Sequence, residues 1–209
     1  MPRKGRPRRK TLKTDPYLGF AAFVAAGAAT WGVDQLLRLT LLWLVLFVFT
    51  LVYASGRRMS FSYRYSDLAR GAVAGLLMSG PILLAAASFL LGTTQRLFPA
   101  QSTLTLLWGV VLLMPAAEAL YFRGFLQEER GLWASVVLYA GAGAVYFLPA
   151  TWDEHLPVLA VLMGGMGLLG FVYGYLRAMY GLAASATCQA VVHCVLFLVP
   201  QLMQSLAGP

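Results

Sequence analysis

Met114-Pro-Ala-Ala-Glu-Ala-Leu-Tyr-Phe-Arg-Gly-Phe-Leu-Gln127 decides how the chain is read. The stretch lies in a long apolar run, yet it holds a carboxylate, Glu118, and a guanidinium, Arg123. A charge at bilayer depth costs about 3 kcal/mol or more unless it faces protein or a water-filled cavity. Both residues are therefore candidate site residues. Five residues along a helix turn a side chain about 500° and carry it about 7.5 Å. Arg123 is then within reach of Glu118 or of a neighbouring helix end. The competing reading is a buried ion pair that only fixes how helices meet.

Composition sets the surroundings. The chain has 209 residues, of which 59% are hydrophobic and 11% charged. That is the composition of a polytopic membrane protein with room for one membrane domain. A net charge of +8 would suggest nucleic acid in a soluble protein, but the charges are placed otherwise. Arg3, Lys4, Arg6, Arg8, Arg9, Lys10 and Lys13 crowd the opening, among Pro and Gly and without an apolar face. Residues 1–16 are expected to form a disordered cytoplasmic tail drawn to anionic lipid headgroups. No aromatic residue is interleaved with these charges, so no nucleic-acid partner is expected.

Apolar segments of bilayer-crossing length follow near 17–34, 37–54, 71–92, 103–126, 132–150, 156–176 and 181–203. The expected fold is an all-α bundle of about seven transmembrane helices, residues 17–209 forming a single membrane domain. With the amino terminus inside, the inner side gathers every Lys and Arg except Arg38 and Arg96. That asymmetry predicts an integral multi-pass protein of the cell membrane with a cytoplasmic amino terminus. The aromatic and basic strip at 59–70 suits the inner headgroups.

Small residues at 25–29, 140–144 and 164–174 predict close helix approach. Pro81, Pro115 and Pro149 should bend their helices and free backbone carbonyls that a buried cavity can use. Cys188 and Cys194 lie six apart in one segment, a spacing that suits no disulfide or metal motif. No phosphate-cradling loop, CxxC or HExxH occurs, so the sequence requires no cofactor or metal. Polar residues in the later segments are few: Glu118, Arg123, Tyr146, Thr151, Ser185, Thr187, Gln189 and His193. Glu118 and His193 are predicted at similar depth, so their side chains could converge on one water.

PAAEALYFRGFLQ, with GFVYGYLRAMYGLAASATCQAVVHCVLF after it, resembles the CPBP family of membrane proteins. That family comprises CAAX prenyl endopeptidases and bacteriocin-processing proteins, and is also called Abi. The likeness spans about 103–203. It implies a glutamate-dependent intramembrane endopeptidase, a hydrolase in which a first Glu and a middle His activate water. A last His and an Asn would hold the oxyanion. On this pattern Glu118 is the base, Arg123 the signature arginine and His193 the last histidine. Thr151 stands four after Phe147, at the middle-His position, with His155 in HLP as its possible substitute. Ala119 replaces the second Glu, Phe197 stands where Asn is expected, and the chain has no asparagine at all. Gln189, one turn from His193, is a possible replacement donor. The implied partner is a membrane peptide or protein substrate, cut weakly or not at all. The alternative is a non-catalytic membrane scaffold that binds a partner on the same fold.

Overall fold

The computed structural model describes residues 15–56, 64–97, 102–151 and 156–207. Among the described residues the chain is a helical bundle without strands. Its helices are α1 (Pro16–Ala29), α2 (Gln35–Gly56), α3 (Tyr65–Leu97), α4 (Thr103–Leu106) and α5 (Met114–Glu118). They continue as α6 (Gln127–Thr151), α7 (Leu156–Tyr180), α8 (Leu182–His193) and α9 (Val199–Ala207). Three wider π-helical stretches, Leu107–Leu113, Ala119–Leu126 and Cys194–Leu198, join them into longer rods. The all-α membrane bundle is thus observed.

Five apolar helical stretches among the described residues are long enough to cross a bilayer: Gln35–Ser55, Tyr65–Gln95, Thr103–Pro149, Pro157–Tyr180 and Leu182–Met203. The third runs for 47 residues and does not run straight. At Gly131 the backbone takes φ 84° and ψ 175°, a left-handed conformation open to glycine. The chain doubles back there, so the Ser135 hydroxyl donates to the Phe122 carbonyl at 2.8 Å. Gly181, at φ 91°, makes the same kind of reversal between α7 and α8. The first expected segment, 17–34, is shorter than predicted. α1 has 14 residues, about 21 Å, against a hydrocarbon core of about 30 Å. It begins at Pro16, capped by the Asp15 side chain, which trims the expected tail of 1–16; residues 1–14 lie outside the described set.

Close helix approach occurs where small residues predict it and also where they were not singled out. A Cβ on Gly170 would sit 2.7 Å from the Tyr139 ring. One on Gly71 would sit 2.2 Å from the Ala184 carbonyl oxygen, so α3 and α8 touch backbone to backbone. In a bilayer such contact, rather than the hydrophobic effect, holds helices together. The expected kink in α3 falls at Ala86 (φ −136°, ψ 26°), five residues past Pro81. Cys188 is buried and Cys194 half-buried, and both are free thiols.

Candidate functional site

The rod from Thr103 to Arg130 carries the unusual residues, and its π stretches explain how they are aimed. The first, Leu107–Leu113, ends in a bond from the Met114 N–H to the Gly109 carbonyl. The next carbonyl in that ladder, Val110, faces the nitrogen of Pro115, which has no hydrogen to give. His193 fills the gap: its Nδ1 lies 3.0 Å from the Val110 oxygen. Cys194–Leu198 repeats the pattern, ending in a bond from the Val199 N–H to the Cys194 carbonyl just before Pro200.

The same accounting explains Arg38. In α6, Pro149 cannot donate to the Val145 carbonyl four residues earlier. The Arg38 Nη2 donates to Val145, while Nη1 donates to the Tyr146 carbonyl at 3.2 Å. Gln35 Nε2 reaches the same Tyr146 oxygen at 3.4 Å. Carbonyls freed by proline were expected; these two users of them were not. Arg38 reads in the sequence as an outer-end charge, whereas it is 1% exposed.

Glu118 is fully buried, and its partner is Gln189. The Gln189 Nε2 donates to Glu118 Oε2 at 2.5 Å and lies 3.2 Å from the Tyr139 hydroxyl. Glu118 Oε1 has no hydrogen-bond partner in the protein. Tyr146 stands next to the carboxylate on the α6 side, with Trp43 behind it. Counted from the Gly131 reversal, Glu118 is about 20 Å along one rod and Tyr146 about 22 Å along the other. Thr151 ends α6 about 30 Å from the reversal, a level past Glu118, and its side chain lies outside the described residues. Tyr146 thus stands nearer the level of Glu118 than Thr151, the residue at the likeness's middle-His position, does. His155 lies outside the described residues.

Arg123 is also fully buried, and no hydrogen bond or ion pair joins it to Glu118. Its guanidinium lies 4.0 Å from the Tyr139 ring centre, 5.0 Å from that of Tyr173 and 5.8 Å from that of Phe122. Aromatic faces attract the cation, offsetting part of its burial. The expectation that Arg123 pairs with Glu118 or caps a helix end is corrected: Nε, Nη1 and Nη2 all lack hydrogen-bond partners. Arg123 lies inside the π stretch Ala119–Leu126, and its side chain is turned to the Tyr139 and Tyr173 rings. The direct hydrogen bonds of Glu118 and His193 run to different partners. Gln189 meets the carboxylate, and His193, one turn further along, meets Val110 instead.

The Tyr146, Tyr173 and Ser185 hydroxyls and the Gln189 Oε1 are buried without partners as well. Glu118, Arg123, Tyr146, Tyr173 and Gln189 form a buried polar centre drawn from four rods. Buried polar atoms are nearly always hydrogen-bonded, so this concentration suits a centre that bonds something besides itself. A groove of about 360 Å³ runs between α2 and residues 104–113, lined by Leu36, Thr40, Trp43, Leu104, Trp108 and Gly109 among others. Trp43 closes its inner end, and beyond the indole stand Tyr146 and then Glu118. Among the described residues no three His, Cys, Asp or Glu side chains come together as a metal site. Compared with known proteins, the chain matches no family model, no curated protein and no solved structure.

Proposed function

We propose that this is a membrane-embedded peptidase of the CPBP type, slow in turnover, that hydrolyses peptide bonds at the Glu118 centre. One observation carries the reading: fully buried Glu118 is oriented through Oε2 by Gln189, with the Tyr146 hydroxyl and the Arg123 guanidinium close by as donors. A carboxylate so held can act as a general base. Glu118 Oε1 would take a proton from water as the oxygen adds to the substrate carbonyl. The Arg123 N–H groups and the Tyr146 hydroxyl would donate to the resulting oxyanion, and Glu118 would return the proton to the leaving amine. Donors already in place where charge develops are the main source of such catalysis.

The substrate would be a membrane peptide or protein that meets the centre within the bilayer. The basic amino terminus would lie on the cytoplasmic face of the cell membrane against anionic lipid. The Asp15–Arg130 contact supports one part of that topology, because it holds the start of α1 beside the Gly131 reversal.

The test is cleavage of a membrane-peptide reporter by purified protein in liposomes. Wild type should cut slowly, and Glu118→Gln should lose at least about 100-fold. Tyr146→Phe, which deletes an oxyanion donor, should lower the rate by about 100-fold, whereas Thr151→His should leave it unchanged. Equal cleavage by wild type and Glu118→Gln would remove the glutamate from the chemistry. One observation favours a second reading, a non-catalytic scaffold that binds a membrane partner: Glu118, Arg123 and Gln189 are each fully buried. On that reading no variant cuts, and Trp43→Ala, which opens the groove toward Tyr146, brings no activity.

A further inference from the structure

We infer that Pro115 fixes the tautomer of His193, leaving Nε2 as a hydrogen-bond acceptor that cannot donate to an oxyanion. The argument begins in the backbone. The π ladder Leu107–Leu113 bonds each N–H to the carbonyl five residues back, as Met114 does to Gly109. Continuing it would need an N–H at position 115, and proline has none. The Val110 carbonyl is thereby left without a backbone donor in the interior, where an unmet acceptor is costly.

His193 Nδ1 sits 3.0 Å from that oxygen, in a side chain 5% exposed. A carbonyl oxygen only accepts, so the proton must be on Nδ1. In a neutral imidazole the other nitrogen then carries a lone pair and no hydrogen. The Phe197 ring, 5.6 Å away and edge-on, packs against the imidazole.

The consequence bears on the reaction proposed above and rests on that reading. The likeness to the CPBP family gives the last histidine the task of donating to the oxyanion. Neutral His193 held by Val110 is turned the other way: it can accept from water or from a substrate N–H. The oxyanion is left to Arg123 and Tyr146, and the loss of the histidine donor accounts for slow turnover. Losing one such donor typically costs about 100- to 1,000-fold in rate.

The tautomer itself stands on helix geometry alone, so it can be tested apart from activity. The chain has two histidines, so His155→Gln leaves His193 as the single histidine signal. Ring-¹⁵N histidine labelling of that protein in detergent micelles should show the Nδ1–H form exceeding the Nε2–H form by about tenfold or more. Pro115→Ala returns an N–H to the Val110 carbonyl, so the Nε2–H form should rise to a comparable population. Pro149→Ala, whose freed carbonyl belongs to Arg38, should leave the ratio unchanged. Predominant Nε2–H in the His155→Gln protein would overturn the inference, and that reading does not depend on the proline variants folding. An unchanged ratio in folded Pro115→Ala would overturn the role given to the proline. Reporter cleavage reads the catalytic consequence separately: absent cleavage with Nδ1–H dominant would sink the peptidase reading and leave the tautomer standing.

Discussion

At the Gly131 end of the bundle, Arg130 meets Asp15 at 2.7 Å and Arg177 meets Glu128 at 3.8 Å, with side chains 27–45% exposed. Deeper in the bundle, about 12 Å along for Arg123 and about 20 Å for Glu118, the two share the neighbourhood of Tyr139 without pairing. The end solves its charges by pairing them in water. The centre solves its charges separately, with an amide for the carboxylate and aromatic faces for the guanidinium. Pairing at the end is cheap to make and cheap to lose, because water substitutes for either partner. At the centre nothing substitutes, so each group depends on neighbours that the fold has already placed.

The sharpest way to break this comparison is to remove one arginine from each region. Arg123→Ala empties a fully buried site among three aromatic rings and should cost about 2–5 kcal/mol, as large-to-small changes in a packed interior do. Arg130→Ala should cost less than about 1 kcal/mol. Folded yield and monodispersity in detergent read both. Equal yields would mean that the centre tolerates the loss of its guanidinium, and the distinction between the regions would fall.

A second experiment tests whether proline-freed carbonyls belong with the centre. Arg38→Met keeps the aliphatic stem and deletes the donors to Val145 and Tyr146. The loss should be about 1–3 kcal/mol for the unmet acceptors. Pro149→Ala gives Val145 a backbone donor, so in that background Arg38→Met should cost less. A double-mutant cycle measures the coupling directly, and strict additivity would mean that Arg38 does not serve the carbonyl that Pro149 frees.

Much of the fold was legible because bilayer physics writes it into long apolar runs, and each expected segment contains helix. The candidate site was legible in part. Glu118 declared itself as a carboxylate in an apolar stretch, and the prolines declared their missing donors. The partners do not follow from spacing along one helix, because Gln189, Tyr139 and Tyr173 come from other helices. Thr151 was matched by spacing from Phe147, but the depth of Tyr146 is set by the reversal at Gly131. Arg38 was read from its place near a helix end. What draws it inward is a carbonyl 107 residues away in sequence, freed by a proline further still.

The smallest effect is expected at the rim, where pH is the gentlest probe. Asp15 caps α1 by accepting from the Tyr17 N–H at 3.0 Å, and it also faces Arg130. The Tyr17 N–H, helped by the Arg130 guanidinium, holds its carboxyl below the ordinary value of 3.8. A group whose pKa is lower folded than unfolded stabilises the fold above the unfolded value. That contribution disappears as pH falls through the folded value. Thermal unfolding of wild type and Asp15→Ala in detergent should therefore differ slightly at neutral pH and converge once acid protonates Asp15 in the folded protein. Arg130→Gln should remove part of the pH dependence and leave the cap, because the Tyr17 bond survives without the arginine. A gap between wild type and Asp15→Ala that widens toward pH 3 would mean that Asp15 is not held as a carboxylate at the rim. The contrast between a water-buffered end and a self-contained centre would then have to be drawn elsewhere.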